Sequence, residues 1–231
     1  MATDSDAPLS RRERERRTRR QAMLRAAEQV FAEKGYDHAT LEEIAERAEF
    51  GKGTLYNYFE GGKEGIFFAV LDTIYDELCD LITESVAEAP ASDRVDPRAC
   101  YHTLVGKAID FYHDREDLFV ILIKEAYRMC FSHDASKVAY FQRQQERMVN
   151  ALLPMLQQAD EDGALRDLPL EAMAHLLIEN IDGLIVHRAI MANHPDRPTS
   201  CQHQSILDDP EKAATFLTTM LFDGVAAPPS A

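Results

Sequence analysis

Residues 50–59 read FGKGTLYNYF, and the glycines beside a lysine and a threonine could support two kinds of chemistry. Glycine-rich loops that end in Lys and Ser or Thr hold nucleotide phosphates in ATPases. A short helix that begins with the same residues could instead present polar side chains to DNA. The residues on either side of Gly51 and Lys52 decide between these two kinds of site.

The spacing does not fit a nucleotide-binding loop. Such a loop needs a glycine, four further residues and then Gly-Lys-Ser or Gly-Lys-Thr, placed between a strand and a helix. Lys52 is followed by Gly53, and Glu46 occupies the position of the first glycine. The preceding segment also has the apolar spacing of a helix rather than a strand. The sequence therefore argues against an ATPase.

Two short helices separated by a three-residue turn fit the same segment better. Thr40 and Glu43 have the spacing of a capping box at the start of the first helix. After a break at residues 49–51, a second helix would bury Leu55 and Phe59. This is the layout of a helix-turn-helix DNA-binding motif. The residues predicted to address phosphates or base edges from these helices are Thr40, Lys52, Gly53, Thr54, Tyr56 and Asn57.

The charges are divided unevenly along the chain. Residues 1–63 hold 12 Lys and Arg against 12 Asp and Glu, whereas residues 64–231 hold 13 against 28. Residues 11–20, RRERERRTRR, contain seven of the arginines. We expect residues 1–16 to be a flexible basic arm and Arg19 and Arg20 to bind DNA, with the end of the run extending the first helix along the duplex. A solvated tail is the alternative.

Apolar spacing predicts an all-α protein of about nine helices. The first is predicted to stop at Gly35, and the fourth to begin near Lys63. Asp96-Pro97 and Asp209-Pro210 each combine a helix cap with a first-turn proline. We expect a helix-turn-helix domain at residues 17–63, a larger domain at 64–226 and a disordered tail at 227–231. In the larger domain the helices are predicted at about 97–113, 115–131, 136–161, 169–193 and 210–226.

The segment AAEQVFAEKGYDHATLEEIAERAEFGKGTLYNYFEGGKEGIFFAVL resembles the DNA-binding domain of the TetR (tetracycline repressor) family of transcriptional regulators. The resemblance implies an all-helical homodimer, with a three-helix DNA-binding domain and a larger effector-binding and dimerisation domain. It implies that Thr40, Tyr56 and Lys63 touch the DNA backbone. It also implies that the recognition-helix residues Lys52, Gly53, Thr54 and Asn57 lie near base edges.

Three features depart from the pattern of this family. Glu49 stands where the family usually has glycine, so we expect the turn to be strained or shifted. Gly51 replaces the usual Ser or Thr cap of the recognition helix, at a small cost. The connection FEGGKEG is one residue longer than the common F-P-S-K-E connection, and this bears on where Lys63 lies.

The predicted eighth and ninth helices carry apolar residues on nearly all sides, so each needs two packing partners. We expect one partner to be the same helix pair in a second subunit, in a two-fold homodimer. Burial within one chain is the alternative. A small, mostly apolar effector is expected in this domain, although any aromatic residue could simply belong to the core. The candidate effector residues are Tyr101, Phe111, Tyr112, Phe119, Tyr127, Phe131, His175 and Asn180.

No catalytic, metal or cofactor site is predicted. The sequence lacks a nucleophile elbow, a His-Glu-x-x-His pair and a dinucleotide fingerprint. The two Cys-x-His pairs, at 100–102 and 201–203, fit no zinc spacing. No apolar run is long enough to span a membrane, no signal-peptide pattern is visible, and unpaired cysteines favour a reducing cytoplasm.

The sequence thus predicts a cytoplasmic DNA-binding transcriptional regulator that is not an enzyme. We expect a homodimeric repressor that the effector releases from operator DNA. One alternative is an activator, or a regulator that responds to a protein, with the same DNA-binding domain. A more remote one is a helical enzyme or ligand carrier.

Overall fold

A computed structural model of the chain describes residues 10–87, 95–192 and 209–224. All regular elements in these ranges are helical, which confirms the predicted all-α fold with about nine helices. A π-helical turn, Thr219–Asp223, continues the last helix. The predicted tail at 227–231, the first nine residues and the Cys-x-His pair at 201–203 lie outside the described residues. The helices are α1 (Arg11–His38), α2 (Leu41–Arg47), α3 (Lys52–Tyr58), α4 (Lys63–Ala87), α5 (Pro97–His113), α6 (Glu116–Cys130), α7 (Ala135–Glu161), α8 (Leu170–Ala192) and α9 (Pro210–Thr218).

Helix ends with a local chemical signal lie where the sequence predicts them. Asp96 caps α5, and its carboxylate accepts from two backbone N–H groups of the first turn. Asp209 caps α9 in the same way. A proline follows each aspartate because the first turn of a helix leaves its N–H groups without intrahelical acceptors, so the missing donor of proline costs nothing there.

The first helix begins earlier than predicted. Ser10 is its N-cap: the hydroxyl accepts from the N–H of Glu13 at 3.3 Å, and the carboxylate of Glu13 accepts from the N–H of Ser10 at 2.8 Å. Arg11 also pairs with Glu15 one turn later, at 2.9 Å. These contacts favour the helical conformation. The prediction of a flexible arm is therefore wrong for residues 11–16, whereas the extension of the first helix by the arginine run is present.

Near its end α1 breaks at Gly35. This residue has φ 75° and ψ 164°, a combination that is essentially restricted to glycine. Gly35 has the positive φ that the predicted left-handed cap requires. Its ψ, however, lies outside the left-handed helical region. One further turn follows and reaches His38.

The chain divides into two compact units between Thr73 and Ile74, inside α4. This division lies beyond the predicted boundary at Lys63. The first turns of α4 belong to the N-terminal unit because the ring of Phe67 packs edge-on against the rings of Phe31 and Tyr36, at 6.0 and 4.9 Å between centroids. The N-terminal unit is called the head below.

The second unit has its own apolar core, to which α5, α7, α8 and α9 all contribute. Tyr101 of α5 is fully buried in it, and its hydroxyl donates to the carbonyl oxygen of Leu177 on α8 at 2.9 Å. No helix in the described ranges is long and apolar enough to cross a membrane.

Candidate DNA interface

The first helix of the predicted motif, α2, is fixed at both ends. The hydroxyl of Thr40 accepts from the N–H of Glu43 at 3.3 Å, and the carboxylate of Glu43 accepts from the N–H of Thr40 at 3.2 Å, which confirms the predicted capping box. Glu43 also pairs with Lys34 of α1. At the other end, Arg47 makes a two-pronged contact with Glu33 of α1, at 2.6 and 2.7 Å. These pairs hold α2 against α1.

The turn after α2 is strained, as expected from Glu49. The N–H of Phe50 donates to the carbonyl oxygen of Ala45 at 2.9 Å, and that of Glu49 donates to Glu46 at 3.1 Å. This pair of bonds is a Schellman motif, which requires a left-handed residue at the position of Glu49 and usually has glycine there. Glu49 has φ 60°, the one positive φ of a non-glycine residue in the described chain.

The recognition helix α3 has one buried side and one exposed side. Leu55 and Phe59 are buried, as predicted. Gly51 is the N-cap and contributes no side-chain hydrogen bond. Among the six predicted contact residues, Thr40, Lys52, Gly53, Tyr56 and Asn57 are exposed, and Thr54 is partly buried. A side chain built at Gly53 would meet no atom within 4 Å, so the backbone there is open to a close approach.

Arginines of α1 lie beside the end of the recognition helix. The guanidinium of Arg16 lies 5.7 Å from the centre of the Tyr58 ring, and that of Arg20 lies 5.4 Å from the Phe59 ring. Arg19 is exposed. Sequence reasoning placed Arg16 in a flexible arm, although its four-residue spacing from Arg20 continues the helical pattern. Arg16, Arg19 and Arg20 thus form a basic surface of α1 beside the end of α3.

Lys63 has a structural role inside the head. Its ammonium donates to the carbonyl oxygens of Tyr36, Asp37 and Ala39, at 2.8, 3.1 and 3.0 Å. It also lies 4.7 Å from the centre of the Tyr36 ring. All three hydrogens of the ammonium thus have internal acceptors, which are open because α1 ends at His38. The backbone-phosphate contact that the resemblance implies for Lys63 does not fit this geometry.

Known proteins share this head. The family described as "Bacterial regulatory proteins, tetR family" matches residues 23–70, from α1 into α4. A transcriptional repressor of Pseudomonas putida, NicS, is 28% identical over 163 residues, which are 70% of this chain and 73% of that protein. The transcriptional activator FasR of Mycolicibacterium smegmatis is 31% identical over 117 residues, 50% of this chain and 47% of that protein. The head of the chain belongs to the TetR family.

The fold of the chain is shared along nearly its whole length. The fatty acid degradation regulator FadR from Bacillus halodurans superposes with a TM-score of 0.69 at 18% identity, over 89% of this chain and 99% of that one. FadR from Bacillus subtilis, solved in complex with stearoyl-CoA, also gives 0.69, at 16% identity and the same coverage. These similarities show that the all-helical fold is shared.

Three of the eight predicted effector residues belong to the apolar core of the chain. Tyr101 and Tyr112 are fully buried, and Phe119 is nearly so. The Phe119 ring packs edge-on against those of Phe111 and Tyr112, both at 5.6 Å. Burial raises the pKa of Tyr112 to about 12. Tyr101, Tyr112 and Phe119 are thus packed in the core, which is the alternative to an effector site that the sequence left open.

Three other predicted effector residues lie towards the surface. Tyr127 and Phe131 are 50% and 82% exposed, so the prediction that they line a cavity is wrong for this chain by itself. The inward side of α6 carries Leu118, Leu122 and Met129 instead, because helical spacing places 127 and 131 on the opposite side. The amide of Asn180 donates to the carbonyl oxygen of Leu176 at 2.7 Å, on the outer side of α8.

A cavity of about 510 Å³ opens between α4, α5 and the start of α6. Phe111 is the predicted effector residue that reaches it. The guanidinium of Arg115 lies 4.5 Å from the Phe111 ring and pairs with Glu77 at 2.5 Å. Carboxylates dominate the rest of the wall, so this cavity does not suit an apolar effector. Its full lining is Glu77, Asp80, Leu81, Glu84, Lys107, Asp110, Phe111, Asp114 and Arg115.

Sequence reasoning missed Asp182 on α8. Burial raises the pKa of its carboxyl to about 6, and its charge adds to burial in raising the pKa values of Tyr75 and Tyr101. The residue is exposed to solvent in this chain, and among the described residues none forms a hydrogen bond or ion pair with it. His175, a predicted effector residue, is half-buried two turns earlier on the same side of the helix. The signal was an aspartate at helical spacing from the apolar residues Ile178 and Ile185.

The described chain contains no group of three or more His, Cys, Asp and Glu residues that could hold a metal ion. Cys100 of the first Cys-x-His pair is buried. His102 instead lies 3.3 Å from the hydroxyl of Thr215 on α9.

Proposed function

We propose that this TetR-family regulator is a repressor whose α3 enters the major groove of operator DNA. The observation that carries the proposal is the two-sided α3, which buries Leu55 and Phe59 and exposes Lys52, Tyr56 and Asn57. An α-helix fits the major groove, where each base pair presents a distinct set of donors and acceptors.

The chemistry of each exposed group suggests its contact. Lys52 can donate to guanine acceptors, and the amide of Asn57 can pair with adenine. The phenol of Tyr56 and the hydroxyl of Thr40 can donate to phosphate oxygens, since the Thr40 oxygen accepts in its capping box and keeps its own hydrogen free to donate. Arg19 and Arg20 of α1 would neutralise flanking phosphates.

A double variant tests this surface. We expect Lys52→Ala with Tyr56→Ala to weaken binding by about 30-fold or more to a duplex selected from a randomised library with the wild-type protein. The matched control is Lys124→Ala with Tyr127→Ala on α6, because Tyr56 and Tyr127 are 53% and 50% exposed. Equal binding by the two double variants in fluorescence anisotropy would contradict the proposal.

We propose that the protein acts as a homodimer through α8 and α9. On α8, the apolar side chains of Leu176 and Ile190 are exposed on the side that also carries Asn180 and His187. On α9 and its π-helical extension, Phe216 and Met220 are exposed. Such a set of large apolar side chains is costly in water and is typical of a surface that a second subunit covers.

The dimer proposal has a matched test. Leu176 and Leu168 are 53% and 52% exposed, but Leu168 lies between α7 and α8, outside this surface. We expect Leu176→Asp with Phe216→Asp to give a monomer mass by light scattering, while Leu168→Asp stays dimeric. A monomeric wild-type protein at micromolar concentration would contradict the proposal.

We propose that a small, mostly apolar effector binds the second unit on the side of α8 that carries His175 and Asp182. The support is the carboxylate of Asp182, which is exposed in this chain, has a pKa raised by desolvation from nearby protein atoms and has no hydrogen-bond or ion-pair partner among the described residues. Bound effector would favour a spacing of the two heads that no longer matches major grooves about 34 Å apart.

Displacement from DNA tests this part. Acyl-CoA thioesters form the first panel, because FadR of Bacillus subtilis was solved with stearoyl-CoA. We expect an apolar compound to lower the anisotropy of the protein–operator complex, and Asp182→Asn to change its potency. Release by polar compounds alone would contradict the apolar class. A promoter–operator reporter tests the sign: we expect the protein to lower expression, whereas FasR is named an activator.

A further inference from the structure

The recognition helix has an ion pair at its first residue. The ammonium of Lys52 binds a carboxylate oxygen of Glu42, in the first turn of α2. Both side chains are accessible to solvent. The contact lowers the pKa of Glu42 and raises that of Lys52, in each case mainly through the hydrogen bond between them. Both groups are therefore charged at neutral pH, and Lys52 is neutralised before any DNA arrives.

The neighbouring carboxylate, Glu43, has a different task. It completes the capping box with Thr40 and pairs with Lys34 of α1. Within the described residues Glu42 has a single side-chain partner, Lys52, and takes no part in the cap. Glu42 therefore takes no part in the capping box or in the ion pairs that join α2 to α1.

An anion beside the recognition helix opposes DNA binding in general. A duplex carries one negative charge per about 1.7 Å of its axis, and non-specific affinity comes almost wholly from cations that replace its counterions. To bind a phosphate, Lys52 must break its ion pair with the carboxylate of Glu42, so exchanging one anion for another gains little free energy. A guanine edge, by contrast, offers two acceptors that depend on the base sequence.

We propose that Glu42 is a specificity-determining residue: it holds Lys52 in the free protein and gives it up only where the DNA offers Lys52 a base-edge contact. This inference rests on the proposed DNA-binding function of α3. Glu42 lowers affinity for random sequence more than affinity for the operator, so it widens the ratio between the two. Specificity is a difference of affinities, and a competing charge that acts against wrong sequences increases it.

The test compares Glu42→Gln with Glu43→Gln. Glutamine at position 43 preserves the capping box, so this control removes one charge from the same turn without loss of the cap. Binding is measured by anisotropy over a range of salt concentrations. The two probes are a duplex selected from a randomised library with the wild-type protein and a random-sequence duplex of the same length.

We expect Glu42→Gln to raise affinity for the random duplex about two- to fivefold, and affinity for the selected duplex less. The log–log salt slope on random duplex should steepen by about one, as for one more phosphate contact. Glu43→Gln should change both affinities by the same factor. In a Lys52→Met background, Glu42→Gln should no longer change the ratio.

Two outcomes overturn the inference while the proposed function stands: an unchanged ratio in Glu42→Gln, or the same change in the Lys52→Met background. Loss of affinity in Glu42→Gln would likewise overturn it, because Glu42 would then position Lys52 for binding. A wild-type protein that selects no duplex from the library would instead refute the proposed function itself. Circular dichroism of each variant confirms that the head is folded.

Discussion

The turn of the helix-turn-helix has a backbone conformation that favours glycine, but a glutamate occupies it. Glu49 occupies the left-handed position of a Schellman motif, at φ 60°. The same motif ends α7, where the N–H of Ala164 donates to the carbonyl oxygen of Ala159 at 2.8 Å and Gly163 takes the left-handed position, at φ 69°. One chain thus contains two copies of one turn, with glutamate in the first and glycine in the second. We predict that Glu49→Gly stabilises the protein.

The magnitude follows from the two conformations. A non-glycine residue in the left-handed region costs about 1–2 kcal/mol relative to the right-handed one. Glycine offsets roughly 0.5–1 kcal/mol of this gain, because it increases the conformational entropy of the unfolded chain. The expected net gain for Glu49→Gly is about 0.5–1 kcal/mol in the free energy of unfolding. For a chain of 231 residues this corresponds to about 2 °C in Tm.

The second turn allows the reverse substitution, from glycine to a residue with a side chain. A side chain at Gly163 would meet no atom within 4 Å, so Gly163→Ala tests the backbone conformation without a steric clash. We expect it to destabilise the protein by about 1 kcal/mol. Glu49→Gln separates conformation from charge, because it removes the carboxylate from the end of α2 and keeps the strained φ.

Urea unfolding followed by far-ultraviolet circular dichroism provides the assay, because the chain has no tryptophan to report by fluorescence. All variants are compared at one protein concentration, since a dimer makes stability depend on concentration. The reasoning is refuted if Glu49→Gly fails to stabilise, or if Glu49→Gln stabilises as much as Glu49→Gly does.

Three further predictions concern single side chains. Lys63→Met should lower the free energy of unfolding by about 2 kcal/mol, because three carbonyl oxygens lose a charged donor, whereas exposed Lys124→Met should change it by less than about 0.5 kcal/mol in the same urea assay. The pKa of Asp182 is raised from 3.8 to about 6, so the folded state holds the proton more tightly and a stability penalty is present above pH 6 and fades towards pH 4. Asp182→Asn should raise the free energy of unfolding by about 1 kcal/mol at pH 7.5, which is less than the full pKa shift would give because solvent reaches the side chain. An equal gain at pH 4.5 would show that desolvation of the charge is not the cause. Arg19→Gln should flatten the log–log salt slope of operator binding by about one, and an unchanged slope would place Arg19 away from phosphate.

Local chemistry explains why much of the fold could be predicted. The starts of α5 and α9 depend on an aspartate and a proline that act within one turn, and the capping box of Thr40 and Glu43 is equally local. Strain at Glu49 was foreseeable because the turn needs a positive φ. The start of α1 was missed because an arginine run has no apolar period, although Ser10 and Glu13 already formed a capping box.

Features that depend on contacts between distant residues could not be predicted. Lys63 reaches carbonyl oxygens 24 to 27 residues earlier in the chain, and nothing in its neighbourhood shows that they are open. Tyr127 has the same aromatic character as Tyr101, but one lies outside and the other inside, because helical spacing alone does not say which side faces the core. The pair between Glu42 and Lys52 likewise requires α2 and α3 to be placed first.

The central claim is that the exposed side of α3 lies in the groove of duplex DNA. Photo-crosslinking from benzoylphenylalanine at position 57, where Asn57 is exposed on that side, tests it most directly, with the same group at exposed Gln157 of α7 as control. We predict a crosslink from position 57 to bases of the selected duplex, and none from position 157. A crosslink of equal yield from both positions, or from position 157 alone, would contradict the account.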